Sequence, residues 1–240
     1  MVDGYELNAK GQVITNSHSS ERELPMLELL GAVRRKTDLT VLESEFFFRS
    51  APTELLNKNT LNLLMCMEKM IPNEKFKRVS INVSVKQLMD DELLKAIVGR
   101  DNLAIEIVDM DQYGLPEFAK HRLTLVQESG VEIWFDDFDA CLFQSEALSG
   151  FQWDAVKIDK AFLLSRQYDD LRKSSISLVD SVRDMTHADM PLIFEGVESK
   201  EIAEHLPKRN IYHQGFFYGK PFDISMGGIY DLSKEIEVLV

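Results

Sequence analysis

The sequence predicts a single α/β barrel, and two observations support this prediction. From residue 79 onward, short apolar runs alternate with stretches of helical periodicity, which is the pattern of parallel βαβ units. Several of these runs end in a carboxylate, an amide or a lysine, and α/β barrels place their chemistry at the C-terminal ends of the strands. The clearest run, at 133–138, leads directly into Asp136 and Asp137. A regular strand can point only one of these carboxylates inward, because consecutive side chains face opposite sides.

Composition excludes several classes of protein. With 240 residues, of which 45% are hydrophobic and 28% charged, the chain is long enough for one large domain with a proper core. A net charge of −13 argues against binding of nucleic-acid polymers or of an anionic membrane surface. The sequence contains neither a membrane-length apolar run nor a signal pattern, and its two cysteines have no framework spacing, so we expect a cytoplasmic protein. A small anionic ligand can still bind if metal ions supply positive charge.

The first 70 residues are predicted to form a hairpin followed by helices. Residues 1–20 form the predicted hairpin, with a turn at 8–11 that ends in glycine. Residues 37–70 are predicted to be mostly helical, with a break near Pro52. Residues 21–36 are predicted to form a helix because four apolar residues recur at helical spacing: Leu24, Leu27, Leu30 and Val33.

Six strands are predicted after this region, with helices between them. The alternation implies parallel strands, and no linker or low-complexity segment interrupts it, so we expect one domain. The predicted strands lie at 79–83, 103–108, 131–135, 155–158, 191–195 and 211–217.

Polar residues in or just after these strands are expected to meet at one end of the barrel. Carboxylate and amide oxygens are ligands that Mg²⁺ and Mn²⁺ prefer, and so many acids would repel each other without a cation. Two such ions about 3.5–4 Å apart are the usual device for phosphodiester cleavage, and a lysine beside them can orient water. We therefore predict metal-dependent phosphoester hydrolysis by a cluster of seven residues: Asn82, Glu106, Asp136, Asp137, Lys157, Glu195 and Gln214.

Each of these residues also has a simpler interpretation. Lys157 and Asp159 could form a surface ion pair, and Gln214 could belong to a turn. Glu195 and Glu198 could begin a helix, where the dipole favours acids. Their joint occurrence at strand ends favours a shared site over these separate roles.

Six motifs at these strand ends resemble, in order, those of the EAL-domain family of cyclic di-GMP phosphodiesterases. The matching part covers residues 79–222. The motifs are Ser80-Ile81-Asn82-Val83-Ser84, Ile105-Glu106-Ile107-Val108-Asp109, Phe135-Asp136-Asp137-Phe138, Val156-Lys157-Ile158-Asp159, Glu195-Gly196-Val197-Glu198 and Gln214-Gly215-Phe216-Phe217-Tyr218-Gly219-Lys220-Pro221.

The resemblance implies a fold, a reaction and roles for individual residues. The fold is a (β/α)₈ TIM-type barrel whose first strand runs antiparallel, and it would occupy 1–240 as one domain with a divergent hairpin and helix at 1–50. The reaction is hydrolysis of cyclic di-GMP to linear pGpG with Mg²⁺ or Mn²⁺ as the cofactor, two ions in all. By position, the metal ligands would be Asn82, Glu106, Asp136, Asp137 and Glu195, the catalytic residues Lys157 and Glu198, the substrate-binding residue Gln214, and the loop-stabilising residue Asp109, with Lys157 acting on the catalytic water.

The chain departs from the family pattern at its N-terminal Glu-Ala-Leu signature. Alignment of the first hairpin puts Ser17 where the metal-binding glutamate is expected and Glu21 where the substrate-contacting arginine is expected. Glu6 and Glu45 are the alternative carboxylates, although Glu45 lies too close to Asn82 for the family's layout. A hydroxyl is a poorer Mg²⁺ ligand than a carboxylate, so reduced metal affinity is expected here.

Two main functions therefore stay open at the level of sequence. The first is a cyclic di-GMP phosphodiesterase, favoured by the retained metal positions, and hydrolysis of another phosphodiester is a weaker variant of it. The second is a catalytically impaired EAL domain that acts as a cyclic di-GMP receptor or a protein-interaction module. It is favoured by Ser17 and by a loop after Asp137 that lacks the family's glycines. The two functions can be distinguished by whether a carboxylate from residues 1–50 reaches the cluster. With either function, the protein could form a homodimer or bind a protein partner.

Overall fold

A closed barrel of eight strands lies at the centre of the computed structural model, which describes residues 4–16, 23–72, 74–110, 114–139, 144–165 and 168–224. The barrel order is β1-β2-β4-β5-β6-β7-β8-β9, and β9 pairs with β1 to close it, while β3 and β10 extend β2 and β1 outside the barrel. The strands are β1 (Tyr5–Thr15), β2 (Met26–Arg35), β3 (Val41–Leu42), β4 (Val79–Ser84), β5 (Leu103–Val108), β6 (Glu132–Phe138), β7 (Ala155–Ile158), β8 (Leu192–Phe194), β9 (Ile211–Gln214) and β10 (Phe222–Ile224).

The direction of the first strand distinguishes it from the rest of the barrel. β1 runs antiparallel to both of its barrel neighbours, β2 and β9. The other adjacent barrel strands are parallel. The predicted (β/α)₈-type barrel with an antiparallel first strand is therefore confirmed. The C-terminal ends of the parallel strands share one end of the barrel, where such folds place their sites.

Helices lie around the barrel, and local sequence explains several of their ends. Asp90 caps the helix Asp91–Ile97 (α3) by accepting hydrogen bonds from the backbone N–H groups of Glu92 and Leu93, and Pro116 precedes the helix Glu117–Glu128 (α4). Gly130, with a φ of +100°, provides the left-handed turn after α4. The described helices are α1 (Ser44–Arg49), α2 (Thr53–Met70), a 3₁₀ turn (Val85–Met89), α3 (Asp91–Ile97), α4 (Glu117–Glu128), α5 (Ser145–Ser149), α6 (Ala161–Leu164), α7 (Tyr168–Met185) and α8 (Lys200–His205).

Two apolar layers stabilise this arrangement. The larger layer lies between the strands and the helices and includes Leu27, Ile81 and Leu64. The smaller layer fills the barrel interior below the site. It consists of Ile14, Met26, Ala104, Trp134, Ala155, Ile193 and Tyr212.

The predicted hairpin at 1–20 is wrong for the described residues. β1 continues from Tyr5 to Thr15 without a turn and pairs with ten residues of β2. Gly11 sits in this strand because a Cβ there would lie 2.9 Å from Ile224 Cδ1 and 3.0 Å from Leu27 Cδ1. This glycine therefore serves close packing on the outer face of the strand rather than a turn.

The predicted helix at 21–36 is also wrong, because Met26–Arg35 forms strand β2. Pairing with β1 on one edge and β4 on the other supplies its backbone hydrogen bonds and closes the barrel. The leucines at helical spacing also fit a buried strand, and long-range pairing overrides local periodicity here.

The other predicted elements are found with shifted ends. The strand predicted at 131–135 continues to Phe138 as β6, and the strand predicted at 211–217 ends at Gln214 as β9. The region 37–70 contains α1 and α2, but β3 precedes them, and β10 was not predicted. Strands of two or three residues are too short for a detectable period.

Replacing Leu64 with alanine is expected to destabilise the fold by about 2–5 kcal/mol, because this side chain is only 2% exposed between α2 and the barrel. Leu61→Ala is the matched control on the same helix, where the side chain is 38% exposed, and should cost less than about 1 kcal/mol. Urea unfolding measures both changes. Equal effects would contradict the packing of α2 on the barrel.

Candidate active site

The candidate site lies one level above the inner apolar layer. On a strand, residues two positions apart face the same side, so the polar residue two positions after an inner apolar residue also faces the interior. Glu106 follows Ala104 in this way, and Lys157 follows Ala155. The side chains brought together at this level are Glu28, Asn82, Glu106, Asp136, Lys157, Glu195 and Gln214.

Lys157 occupies the centre of this cluster. Its Nζ lies 2.6 Å from Glu106 Oε2 and 2.7 Å from Glu195 Oε1. It also lies 3.3 Å from Asp136 Oδ1 and 3.3 Å from Glu28 Oε2. The Lys157 side chain is 2% exposed. Acids from four different strands or their ends therefore converge on one buried ammonium group.

Two amide side chains hold Glu28 in this position. Asn82 Nδ2 donates to Glu28 Oε1 at 3.0 Å, and Gln214 Nε2 donates to Glu28 Oε2 at 2.6 Å. Gln12 Oε1 accepts from Gln214 Nε2 at 3.3 Å. The carboxylate of Glu28 is thus oriented from both sides, by β4 and by β9.

The charges of Lys157 and Glu28 reinforce each other. Burial alone would lower the pKa of Lys157, but the surrounding carboxylates, Asp136 first among them, outweigh burial and raise this pKa well above its ordinary value. Burial would raise the pKa of Glu28, but Lys157 and the donors Gln214 and Asn82 outweigh it and lower this pKa. The Lys157–Glu28 pair is therefore ionised.

The remaining acids of the cluster are pushed toward protonation. Burial, followed by repulsion from Glu28, raises the pKa of Glu106 well above its usual range. Burial raises the pKa of Asp136 too, and Glu28 adds to this. The pKa of Glu195 is raised to about 7 by burial and by repulsion from Asp136, despite its contact with Lys157. One lysine is thus too little positive charge for this many carboxylates.

Asp137 lies at an irregular point of β6. The pairing with β7 shifts register between Phe135 and Phe138, and Asp137 has a φ of +52°. In a regular strand, Asp137 would face the side opposite to Asp136. The bulge at this point releases Asp137 from that alternation. Asp137 is exposed at the mouth, yet loss of water around its carboxyl, then repulsion from Asp136 and Glu195, raises its pKa to about 8.

Two of the predicted residues that the structure describes, Glu198 and Asp109, do not contact this cluster. Glu198 and Asp109 are exposed, and neither has a hydrogen bond or ion pair to the cluster within the described residues. Asp109 has a φ of +61° just after β5. Ser17 lies outside the described residues.

The oxygen atoms of the cluster fit a hard divalent cation. Asn82 Oδ1, Glu106 Oε1 and Gln214 Oε1 are buried and have no hydrogen-bond partner among the described residues. With every acid ionised, the five carboxylates of Glu28, Glu106, Asp136, Asp137 and Glu195 exceed the one ammonium by a charge of −4, which two divalent cations would balance.

The acids are nevertheless not already arranged around a metal position. In the part of the chain that the structure describes, no group of three or more Asp, Glu, His or Cys side chains is placed to hold a metal ion. The carboxylates turn toward Lys157 instead. Binding of a cation would therefore require some of them to turn away from the lysine.

Comparison with known families identifies the barrel. The family model described as "EAL domain" matches residues 30–221. The chain belongs to the EAL-domain family.

Two curated relatives of this EAL domain come from Escherichia coli K12. The probable cyclic di-GMP phosphodiesterase PdeG is 28% identical over 153 residues, which are 60% of this chain and 30% of the relative. The cyclic di-GMP phosphodiesterase PdeR is 30% identical over 156 residues, covering 60% of this chain and 23% of the relative. The chain thus spans less than a third of either relative.

Solved structures share the fold of this EAL domain. The PaMucR phosphodiesterase in complex with c-di-GMP has a TM-score of 0.72 at 18% identity, covering 90% of this chain and 97% of that one. The manganese and cyclic di-GMP complex of Klebsiella pneumoniae BlrP1 has a TM-score of 0.68 at 20% identity, covering 91% and 56%. Among the described residues, the helices are all too short or too polar to cross a membrane.

Glu28 is the residue that sequence reasoning missed. Glu28-Leu29-Leu30 is similar to the family's Glu-Ala-Leu signature and occupies β2, where it reaches the cluster. The signal was present, since a single acid within a run of five otherwise apolar residues at 26–30 has the same form as the other site strands. With Glu28 in this place, the family's arginine, four residues later, falls at the buried Ala32.

Mn²⁺ is expected to raise the melting temperature of the EAL domain by roughly 5–10 °C at a hundredfold excess over its Kd, because a ligand of the folded state stabilises it by mass action. Asp136→Asn should remove most of this rise, since it removes one acid of the cluster. Scanning calorimetry with and without Mn²⁺ measures the effect.

The matched control is Asp189→Asn, which neutralises an exposed carboxylate paired with Arg209 outside the site. This variant should keep the full rise. No rise in the unmodified protein, or an undiminished rise in Asp136→Asn, would contradict a metal site in the cluster.

Proposed function

We propose that this EAL domain is a metal-dependent phosphodiesterase that hydrolyses cyclic di-GMP to linear pGpG. The observation that carries the proposal is the position of Glu28. It is a carboxylate from the first 50 residues, and it lies 3.3 Å from Lys157 Nζ while it accepts hydrogen bonds from Asn82 and Gln214. A carboxylate from residues 1–50 therefore reaches the cluster, which supports the enzyme over the impaired domain.

The proposal assigns the cations to the oxygen donors of the cluster. Bound there, two Mg²⁺ or Mn²⁺ ions would supply a Lewis acid for a phosphoryl oxygen and would lower the pKa of a water molecule. Support comes from the unpartnered buried oxygens, from the charge of −4, and from the manganese in the BlrP1 complex. The ligands would be Glu28, Asn82, Glu106, Asp136, Asp137 and Glu195.

Lys157 acts in this proposal as a hydrogen-bond donor and not as a base. The acids around it raise the pKa of Lys157 and keep it an ammonium, whose N–H groups could hold the attacking water or a phosphate oxygen. The water oxygen forms a bond to one phosphorus, and the P–O3′ bond of that phosphodiester breaks. The attacking water loses one proton, and the leaving 3′ oxygen gains one proton. The product is linear pGpG with a 5′-phosphate.

The other predicted residues have supporting parts in the proposal. Gln214 positions Glu28 through a 2.6 Å hydrogen bond, and the proposal gives it the further part of binding substrate. Glu198 and Asp109 lie outside the cluster, where Glu198 would assist at the bound substrate and Asp109 would stabilise its loop. The names of PdeG and PdeR and the ligand of PaMucR favour cyclic di-GMP over another phosphodiester.

One observation favours a second function, that of a cyclic di-GMP receptor without turnover. Ala32 stands where the family's substrate-contacting arginine is expected, and alanine offers a phosphate no charge. The FimX EAL domain from Pseudomonas aeruginosa was solved bound to c-di-GMP and shares this fold, with a TM-score of 0.66 at 16% identity.

Incubation of the protein with cyclic di-GMP and Mn²⁺, followed by chromatography of pGpG, tests the proposal. Glu28→Gln should lower kcat/KM by about 100-fold or more, because a neutral amide binds a divalent cation more weakly than a carboxylate does. Glu6→Gln is the matched control, since Glu6 is an exposed acid of the neighbouring strand β1, and it should keep the activity.

Three outcomes would contradict this proposal, the first by removing the role of Glu28 and the other two by removing the enzyme activity. Equal activity of Glu28→Gln and the unmodified protein would show that Glu28 is not part of the catalytic site. Saturable binding of cyclic di-GMP without product would establish a receptor. Neither binding nor product would leave the barrel as a module for a protein partner.

A further inference from the structure

The first two strands continue beyond the barrel as a paired ribbon, with β10 on the outer edge of β1 and β3 on the outer edge of β2. β1 and β2 pair over ten residues of each strand, whereas β2 pairs with β4 only at 27–29. Residues 5–10 of β1 and 30–35 of β2 therefore extend past the barrel at the C-terminal end of β2, which is the end where the candidate active site lies. We call these residues the rim ribbon.

One face of the rim ribbon packs against helices. A Cβ at Gly31 would lie 2.7 Å from side-chain atoms of Asn59 and Phe48, and the ring of Tyr5 contacts the ring of Phe47. Because alternate residues of a strand face opposite sides, the other face is in phase with Glu28 and looks toward the active site. It consists of Glu6, Asn8, Lys10, Leu30, Ala32 and Arg34.

Lys10 is the cation on this face that lies nearest to the cluster. It pairs with Leu30 in the ladder, one inward-facing pair beyond Gln12 and Glu28, which places it about 7 Å along the strand from their level. The side chain is half-buried, and it makes no ion pair with any described residue, although Asp223 lies opposite it on β10.

Binding of cyclic di-GMP would require positive charge such as that of Lys10. Cyclic di-GMP has two phosphodiester groups, each with one negative charge, and the cluster around Lys157 is itself acidic. Two divalent cations would balance only the acids of the cluster itself, so the phosphodiester that they do not contact needs positive charge elsewhere at the mouth. Ala32 supplies none, but Lys10 is its diagonal neighbour across the ladder, within reach of a long side chain.

We propose that Lys10 binds the second phosphodiester of cyclic di-GMP from the rim ribbon. The proposal rests on the proposed function, because it takes cyclic di-GMP as the ligand of this site. It assigns to β1 the positive charge that β2 lacks at Ala32.

Calorimetric titration with cyclic di-GMP in Ca²⁺, the ion of another BlrP1 complex, tests this assignment. Lys10→Met should weaken binding of cyclic di-GMP by about ten- to a hundredfold, the range for loss of a charged hydrogen bond. Lys10→Arg keeps the positive charge and should retain most of the affinity of the unmodified protein. The dependence of Kd on salt should also become shallower in Lys10→Met, which a role in packing alone would not cause.

Arg34→Met is the matched control. It removes a cation from the same face of the same ribbon, but Arg34 is exposed and lies about 14 Å further along β2 than Leu30, so binding should be unchanged. Melting temperatures of all variants separate loss of folding from loss of contact, and Lys10→Gln replaces Lys10→Met if the latter does not fold.

The outcomes separate this proposal from the proposed function. Equal affinity of Lys10→Met and the unmodified protein would overturn the assignment of Lys10 alone. Equal loss in Lys10→Met and Arg34→Met would also overturn it, since the effect would then follow the overall charge of the ribbon. Failure of the unmodified protein to bind cyclic di-GMP would overturn the proposed function and this assignment together.

Discussion

The site depends on one buried ammonium group. Lys157 lies among Glu106, Glu195, Asp136 and Glu28, and without its charge these acids would face one another in an interior almost closed to water. Removing one partner of a buried charge cluster typically costs about 3–5 kcal/mol, whereas a well-packed apolar interior of the same volume is often more stable. The level above the inner apolar layer is thus polar at a cost to stability, which is the usual sign that a level serves chemistry.

The barrel register converts separate strands into this cluster. Glu28, Glu106 and Lys157 each lie two residues beyond an inner apolar residue, so one alternation pattern repeats around the barrel. A slip of one residue in β2 would turn Glu28 into the outer core and bring Leu27 or Leu29 inward. The buried outer leucines therefore hold the glutamate in place as strictly as its hydrogen bonds do.

Much of this site was predictable from local sequence, and the part that was not has a physical reason. Glu106, Asp136 and Lys157 lie in short apolar runs between helices, where a parallel strand needs no distant information to be identified. Glu28 lies in a strand that is specified by pairing with β1 and β4, and its leucines also fit a helix. The positive φ of Asp137 arises from a register shift against β7, which the sequence of β6 alone does not indicate.

The acidity of the cluster also limits what can separate an enzyme from a receptor. An anionic ligand is repelled by the acids of the cluster until cations or protons neutralise them, so cation-dependent binding is expected of both functions. Turnover is the distinguishing property, because it needs donors that hold water against one phosphorus as well as charge that holds the ligand. In the proposed function, Glu28 serves the first requirement, because it adds a carboxylate to the oxygen donors beside Lys157. Position 32 and, under the further proposal, Lys10 would serve the second requirement, so a change in the signature would alter ligand binding without removing a donor from the cluster.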